Sequence, residues 1–514
     1  MNKKVLILIV ILTVAAVTAA GCDMNDPLQE VDSDTETVPG GEDYNNLYPE
    51  EDSDLEKHIP NQVIVKPRDR DKLEEIKSEY GASVQRQIEE QDHYLLNIAG
   101  EESIAEAVND LNRRDYVEFA QPNYVVETLA NDWDFSALPR FYEGHQWALH
   151  AIDAPQAWQE TTGSSDTVIA VLDTGVDYTH QEFGERVLVE EGTNTLEDYD
   201  EDDIMDYHGH GTHVAGIAAA GGPNEVEEAE MAGASWQSKV LPVKVLGDEG
   251  VGDQFSVDLG IEHARQFAEN NPDKRVVINM SLGARGYAPA RNSLIDAALA
   301  EDVVVVAAMG NDFKNVLATP ASSPGVIAVG ATDSQNEKAG FSTEGEWISV
   351  AAPGEDIISS YPMGNYGYAG GTSMAAPYVA GTAALVLAEN PDLSPADVKY
   401  HLEETAEDLG SPGFNEKFGH GIINAASAVT TEPDESPRAS VYFALTGDLA
   451  GEENVAIRLY KGEEYQQFTV AHADLARMHD LPAAEYRAVV VHENETVEEI
   501  EFELEEGETK ELDI

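Results

Sequence analysis

The chain has 514 residues, enough for several domains and a large core. Its 30 Lys plus Arg against 98 Asp plus Glu give a net charge of −68, which repels nucleic acid and anionic membrane surface. The single cysteine, Cys22, excludes an intrachain disulfide framework.

Lys3-Lys4 precede an apolar run from Val5 to Ala20, followed by Gly21-Cys22. A charged start and an apolar stretch too short for a comfortable membrane span predict an export signal over residues 1–21. Ala19-Ala20-Gly21-Cys22 resembles the lipobox of bacterial lipoproteins, although Ala19 stands where leucine is usual. The resemblance implies lipidation of Cys22, a membrane anchor and an extracellular or cell-surface location; plain secretion is the alternative. Residues 22–56 are acidic, lack Lys and Arg and carry few apolar side chains, as expected of a disordered tether.

Residues 57–129 change character. Asn61–Val65, Tyr94–Ile98 and Val117–Glu127 have strand patterns, and Arg70–Tyr80 and Ser103–Leu111 have helical ones. A strand–helix–strand–strand–helix–strand order predicts a small ferredoxin-like α+β unit.

Over residues 130–430, strand-like runs alternate with helical ones: Val168–Asp173, Val240–Leu246, Val276–Met280, Val303–Ala308 and Val326–Gly330. The pattern predicts an α/β fold with a doubly wound, mostly parallel sheet. Residues 431–438 form a Pro- and acid-rich linker, and 439–514 alternate apolar and polar residues, as in Val455–Tyr460, Tyr486–Val491 and Ile500–Leu504. That alternation predicts a small β-sandwich, and the segment resembles transthyretin-like accessory domains.

Three stretches carry chemistry. Thr167–Gly175 is an apolar run ending on Asp173, which puts a carboxylate at the carboxyl end of a buried strand. His210-Gly211-Thr212-His213-Val214-Ala215-Gly216 opens a helix of small residues. Gly371-Thr372-Ser373-Met374-Ala375-Ala376-Pro377 sets a serine at a helix start, its hydroxyl expected to be exposed at the turn and Pro377 expected in the first helical turn. A hydroxyl needs a base to become a nucleophile, and the base needs a carboxylate to fix its tautomer. Asp173, His210 and Ser373 supply that set in chain order.

Together the three stretches resemble the signatures of the subtilisin-like serine proteases (subtilases). The resemblance implies proteolysis through an Asp173–His210–Ser373 triad and an acyl-enzyme. It implies a subtilisin-like fold, Asn311 in Ala307–Asn311 as oxyanion donor beside the backbone N–H of Ser373, and Ser281-Leu282-Gly283 and Gly250-Val251-Gly252 as edges flanking an added substrate strand. Ala308 and Gly310 would line a pocket for large apolar or aromatic P1 side chains, with broad tolerance elsewhere. Met309 stands where relatives often have alanine. The unit ending in Gln121–Val126 resembles the family's inhibitory propeptide, which implies an intramolecular partner cut away near Leu129 or Ala130; a permanent N-terminal domain is the alternative. Protein and peptide substrates are the other partners implied.

Asp198–Asp206 is an oxygen-rich loop before His210. Hard cations want such ligands, and Glu201, Asp203 and Asp206 lie where thermitase-like subtilases bind structural calcium; a solvated acidic loop is the alternative. Glu182 and Asn224 stand where others hold a second calcium, but the loop beyond departs from the usual pattern. A zinc site at His208, His210 and His213 is disfavoured because His210 is otherwise assigned. The acid excess through tether, catalytic and C-terminal segments suggests life in high salt. The rival to proteolysis is a surface-anchored binding protein on a subtilase scaffold.

Overall fold

The computed structural model describes residues 58–98, 103–134, 145–197, 199–222, 231–285, 288–311, 318–434, 439–446, 449, 455–462, 464–470, 475–492 and 495–514. The expected signal, Cys22, the tether, Asn224 and residues 435–438 of the linker lie outside them.

The N-terminal unit runs β1 (His58–Pro67), a helix Leu73–Glu79, β2 (Ser83–Ile88), β3 (His93–Asn97), a helix Ile104–Asn112 and β4 (Val117–Thr128). The strands pair antiparallel in the order β4-β1-β3-β2, the split arrangement of ferredoxin-like units. Ser103 caps the second helix in a reciprocal capping box with Glu106. Alternation along the strands divides the sheet between two cores. Val63, Val65 and Leu96 join Ala107 and Leu111 under the unit's own helices. Ile64, Leu95 and Phe119 face the other way, against Phe255, Ile261 and Leu294 of the next unit.

The chain then enters β5 (Asn131–Asp134). It continues through β6 (Thr167–Asp173), β7 (Thr193–Asn194), β8 (Lys239–Lys244), β9 (Val251–Asp253), β10 (Arg275–Met280), β11 (Leu282–Arg285), β12 (Val304–Ala308), β13 (Ala318–Thr319), β14 (Ile327–Thr332) and β15 (Val350–Pro353) to the hairpin β16 (Ile357–Tyr361) and β17 (Asn365–Gly370). The central sheet is parallel throughout, in the order β15-β14-β12-β10-β6-β8-β7. Period two again separates the faces. Ile169, Val171, Val277 and Val306 pack under the His210–Ala219 and Thr372–Glu389 helices. Val168, Ala170, Ile278 and Val305 pack under the Gln254–Asn270 and Pro289–Ala300 helices. All five expected strands are present; β7 and β15 are too short for a periodic signal.

The N-terminal unit closes the amino ends of the latter two helices. Oδ1 of Asn123 accepts from the N–H of Phe255 (3.1 Å), and Oε1 of Gln121 accepts from the N–H of Ala290 (3.0 Å). These are donors that a helix cannot satisfy internally.

The C-terminal segment is a sandwich of β18 (Ala439–Ala444), β19 (Ala456–Lys461), β20 (Glu464–Val470), β21 (Leu475–Leu481), β22 (Ala484–His492), β23 (Glu495–Leu504) and β24 (Thr509–Asp513). The sheets β21-β18-β24 and β20-β19-β22-β23 enclose Val441, Phe443, Ile457, Leu459 and Val490. Its Arg458 pairs with Glu346 of the preceding unit at 2.9 Å.

Candidate active site

Asp173 ends the central strand β6, fully buried. Its Oδ1 accepts from the N–H of Thr174 (2.8 Å) and lies 2.7 Å from Nδ1 of His210, which is also buried. The helix that carries His210 lies hard against the end of β6. A Cβ at Gly211 would meet the Gly175 carbonyl at 2.1 Å, so only glycine allows this approach.

Asp206 organises the entry to that helix. Oδ1 accepts from Thr174 Oγ1 (2.9 Å) and from the N–H groups of His208 (3.0 Å) and Gly209 (2.8 Å). Oδ2 accepts from the N–H (2.9 Å) and hydroxyl (2.7 Å) of Thr212. Burial pushes the carboxyl group up from its ordinary pKa, and these donors pull the other way. The calcium expectation at Glu201, Asp203 and Asp206 does not fit this geometry. Asp206 is turned inward and its lone pairs are taken by protein donors, and among the described residues no three His, Cys, Asp or Glu side chains are gathered to hold a metal. Glu182 is buried too, accepting from the Tyr366 hydroxyl. His213 is buried, with Nε2 3.0 Å from the carbonyl of Gly367.

Ser373 lies in the first turn of the Thr372–Glu389 helix, and Pro377 falls past that turn, inside the helix. Proline has no N–H, so the Ser373 carbonyl lacks its usual i+4 donor. The hydroxyl of Ser281 takes that place, donating to the Ser373 carbonyl at 2.8 Å, while the Ser373 hydroxyl donates to the Ser281 carbonyl, also at 2.8 Å. The expectation of an exposed serine is corrected: Ser373 is fully buried, because the backbone of Leu129 and Ala130 lies over it. A Cβ at Gly371 would stand 2.4 Å from the Leu129 carbonyl oxygen and 3.0 Å from Ala130 Cα.

The segment entering this site runs as an added β-strand. β4 pairs antiparallel with β9 on one side, Val126 opposite Gly252, and with β11 on the other, Leu282 opposite Thr128 and Gly283 opposite Glu127. The N–H of Thr128 donates to the Gly250 carbonyl (3.1 Å) and that of Leu129 to the Ser281 carbonyl (3.3 Å). Past Ala130, β5 pairs with β17. The Leu129 carbonyl oxygen between them accepts from Nδ2 of Asn311 (2.6 Å) and from the N–H of Ser373 (3.3 Å). The Leu129 side chain packs against the core that contains Ala308, with a methyl beside Gly283. Gly310 adopts a left-handed backbone (φ 106°), while Met309 is buried in the opposite core layer.

Thr372 escaped sequence reasoning. Its N–H and hydroxyl donate to Oδ1 of Asn311 at 3.0 and 2.9 Å, which turns Nδ2 toward Leu129. The hydroxyl also accepts from the N–H of Gly310 at 3.0 Å. Its place beside Ser373 in the motif was the available signal.

Residues 164–421 match the subtilase family, and residues 46–123 match the fervidolysin N-terminal prodomain. A thermophilic serine proteinase of Bacillus sp. (strain AK1) is 36% identical over 337 residues, 65% of this chain and 78% of that protein. Subtilisin E of Bacillus subtilis (strain 168) is 33% identical over 361 residues, 70% of this chain and 86% of the relative. Halolysin of Haloferax mediterranei is 36% identical over 334 residues, 64% of this chain and 60% of the relative. The crystal structure of fervidolysin from Fervidobacterium pennivorans shares the fold, with a TM-score of 0.73 at 22% identity, covering 90% of this chain and 79% of that one.

Proposed function

Since the chain belongs to the subtilase family and is a subtilisin-like serine endopeptidase with a prodomain, we propose that Asp173, His210 and Ser373 are its triad and that the Leu129–Ala130 bond is its first substrate. The observation that carries the reading is the Leu129 carbonyl, held by Asn311 and the Ser373 N–H directly over the buried serine. In the first step the Ser373 oxygen attacks the Leu129 carbonyl carbon and its proton passes to Nε2 of His210. Asp173 keeps the imidazole in the tautomer that allows this and stabilises its charged form. The oxygen of the tetrahedral intermediate draws on the same two N–H donors. Collapse breaks the Leu129–Ala130 bond, His210 returns the proton to the leaving amine of Ala130, and water then releases the acyl-enzyme.

The unit is an intramolecular inhibitor in the precursor, and after the cut it remains bound through β9, β11 and its helix caps and still blocks the site. Other substrates take the place of β4 as an added strand, recognised chiefly by main-chain hydrogen bonds. Specificity is therefore broad, with an apolar or aromatic side chain favoured where Leu129 sits. The precursor is exported and held at the cell surface by a lipid on Cys22, the cut leaves that anchor on the N-terminal piece, and the enzyme works in concentrated salt.

The test is the Ser373→Ala precursor beside the wild type, followed by intact-mass measurement. The wild type should yield a chain beginning at Ala130, and the variant should stay uncut. Processing by the purified variant would overturn the triad, and a mature start elsewhere would overturn the assigned bond.

A further inference from the structure

Lys244 ends β8 in register beside Asp173 and is fully buried. A buried ammonium is costly unless each of its donors is satisfied. Nζ donates to three separate segments: the carbonyl of Thr174 (2.9 Å), the carbonyl of Met205 (3.1 Å) and the carboxylate of Asp248 (3.1 Å). The rings of Tyr199 and Tyr207 stand over it, 5.6 and 5.4 Å from their centroids, where their π faces favour a cation.

Each segment leads to a different part of the site. Thr174 follows Asp173 and donates to Asp206. Met205 precedes Asp206, which holds the first turn of the His210 helix through Thr212 and Gly209. Asp248 lies in the Gly247–Gly250 turn, whose last carbonyl accepts from Thr128 and which opens into β9. One charge thus sets the spacing of carboxylate, imidazole and substrate edge.

We propose that Lys244 is a positioning residue, a built-in cation that fixes the Asp173 strand, the His210 loop and the β9 edge relative to one another. From the acidic loop the ammonium takes the Met205 carbonyl, next to the inward-turned Asp206. The proposal rests on the triad reading above.

The test is peptide hydrolysis by the processed enzyme after the cut unit has been displaced, with a chromogenic substrate carrying leucine at P1. Lys244→Met keeps an unbranched side chain one atom shorter and removes the charge. It should lower kcat/KM by about 10²-fold, the scale of an ångström-sized misplacement, with both kcat and KM changed. In Lys244→Ala, propylammonium, which supplies the removed atoms, should restore part of the lost kcat/KM, and NaCl at equal ionic strength should not. Asp248→Asn alters a carboxylate whose side chain is 43% exposed, so it should fold regardless; it should raise KM by up to about fivefold. An unchanged kcat/KM in folded Lys244→Met, equal recovery with NaCl, or an unchanged KM in Asp248→Asn would each overturn the proposal. Failure of the triad reading would show instead as activity in Ser373→Ala.

Discussion

Nδ2 of Asn311 stands 2.6 Å from the carbonyl oxygen of Leu129, and Oδ1 of the same amide is held by Thr372. An amide fixed from behind is preorganised, so it needs no reorientation as negative charge grows on that oxygen. Asn311→Ala should slow self-processing by about 10²–10³-fold, a range taken from subtilisin itself rather than derived from this chain. Thr372→Val should slow it less, because the backbone N–H of residue 372 still holds Oδ1. Time courses of precursor cleavage on gels provide the measurement.

The amides of Gln121 and Asn123 close helix ends that belong to the catalytic unit. Gln121→Ala and Asn123→Ala should each destabilise the uncut Ser373→Ala precursor by about 1 kcal/mol. The Gln121 cap is a neutral pair, so its loss should be the same at low and at molar salt, whereas Asn123 also donates to the Asp253 carboxylate at 3.1 Å, so its loss should shrink as salt screens that charge. Urea unfolding of the variants at two salt concentrations checks both points.

His93 gives the prodomain a pH dependence. It is buried edge-on against Phe119, and neither ring nitrogen has a hydrogen-bond partner among the described residues. Burial, with help from the nearby Lys66 charge, holds its pKa down at about 3. The unfolded chain takes up a proton near the ordinary value of about 6.5. The folded value is the lower one, so this stability is complete above about pH 6.5 and is lost as pH falls toward 3. At pH 5 the cost is about 2 kcal/mol. His213 is held down in the same way, so the comparison is between Ser373→Ala and Ser373→Ala/His93→Leu. The former should lose about 2 kcal/mol more between pH 7 and pH 5 in urea unfolding; parallel losses would clear His93 of the effect.

A net charge of −68 makes self-repulsion large, and the screening length shrinks from about 8 Å at 0.15 M salt to about 3 Å at 1 M. The melting temperature of Ser373→Ala should rise toward molar salt, equally in NaCl and KCl. Thermal melts in the two salts test this, and a flat or falling curve would rule out the screening account.

The sequence alone singled out Asp173, His210 and Ser373 as candidate catalytic residues, because the chemistry proposed for them constrains the local backbone. Asp173 must end a buried strand, Gly211 must let its helix touch that strand, and Gly371 must leave room beside Ser373. Such demands leave short, fixed words in the chain. Continuous apolar runs likewise marked the five core strands, whose alternate residues serve two cores. Where local pattern conflicts with context the signal fails: Leu475–Leu481 has no clear alternation, yet it pairs with β18 as an edge of the sandwich.

Partnership across the chain was decided only by tertiary structure. Asp206 looks like a metal ligand among its acidic neighbours, but Thr174 and Thr212 claim its oxygens. Lys244 looks like an ordinary strand residue until Thr174, Met205 and Asp248 converge on it. Leu129 carries no motif, and only the pairing of β4 with β9 and β11 brings its carbonyl to Asn311 and Ser373. Periodicity and glycine placement report what a residue needs from its own backbone. Which donor meets which acceptor, 32 positions away for Thr174 and Asp206 and 182 for Asn311 and Leu129, depends on how the strands are ordered, and no short stretch of sequence encodes that order.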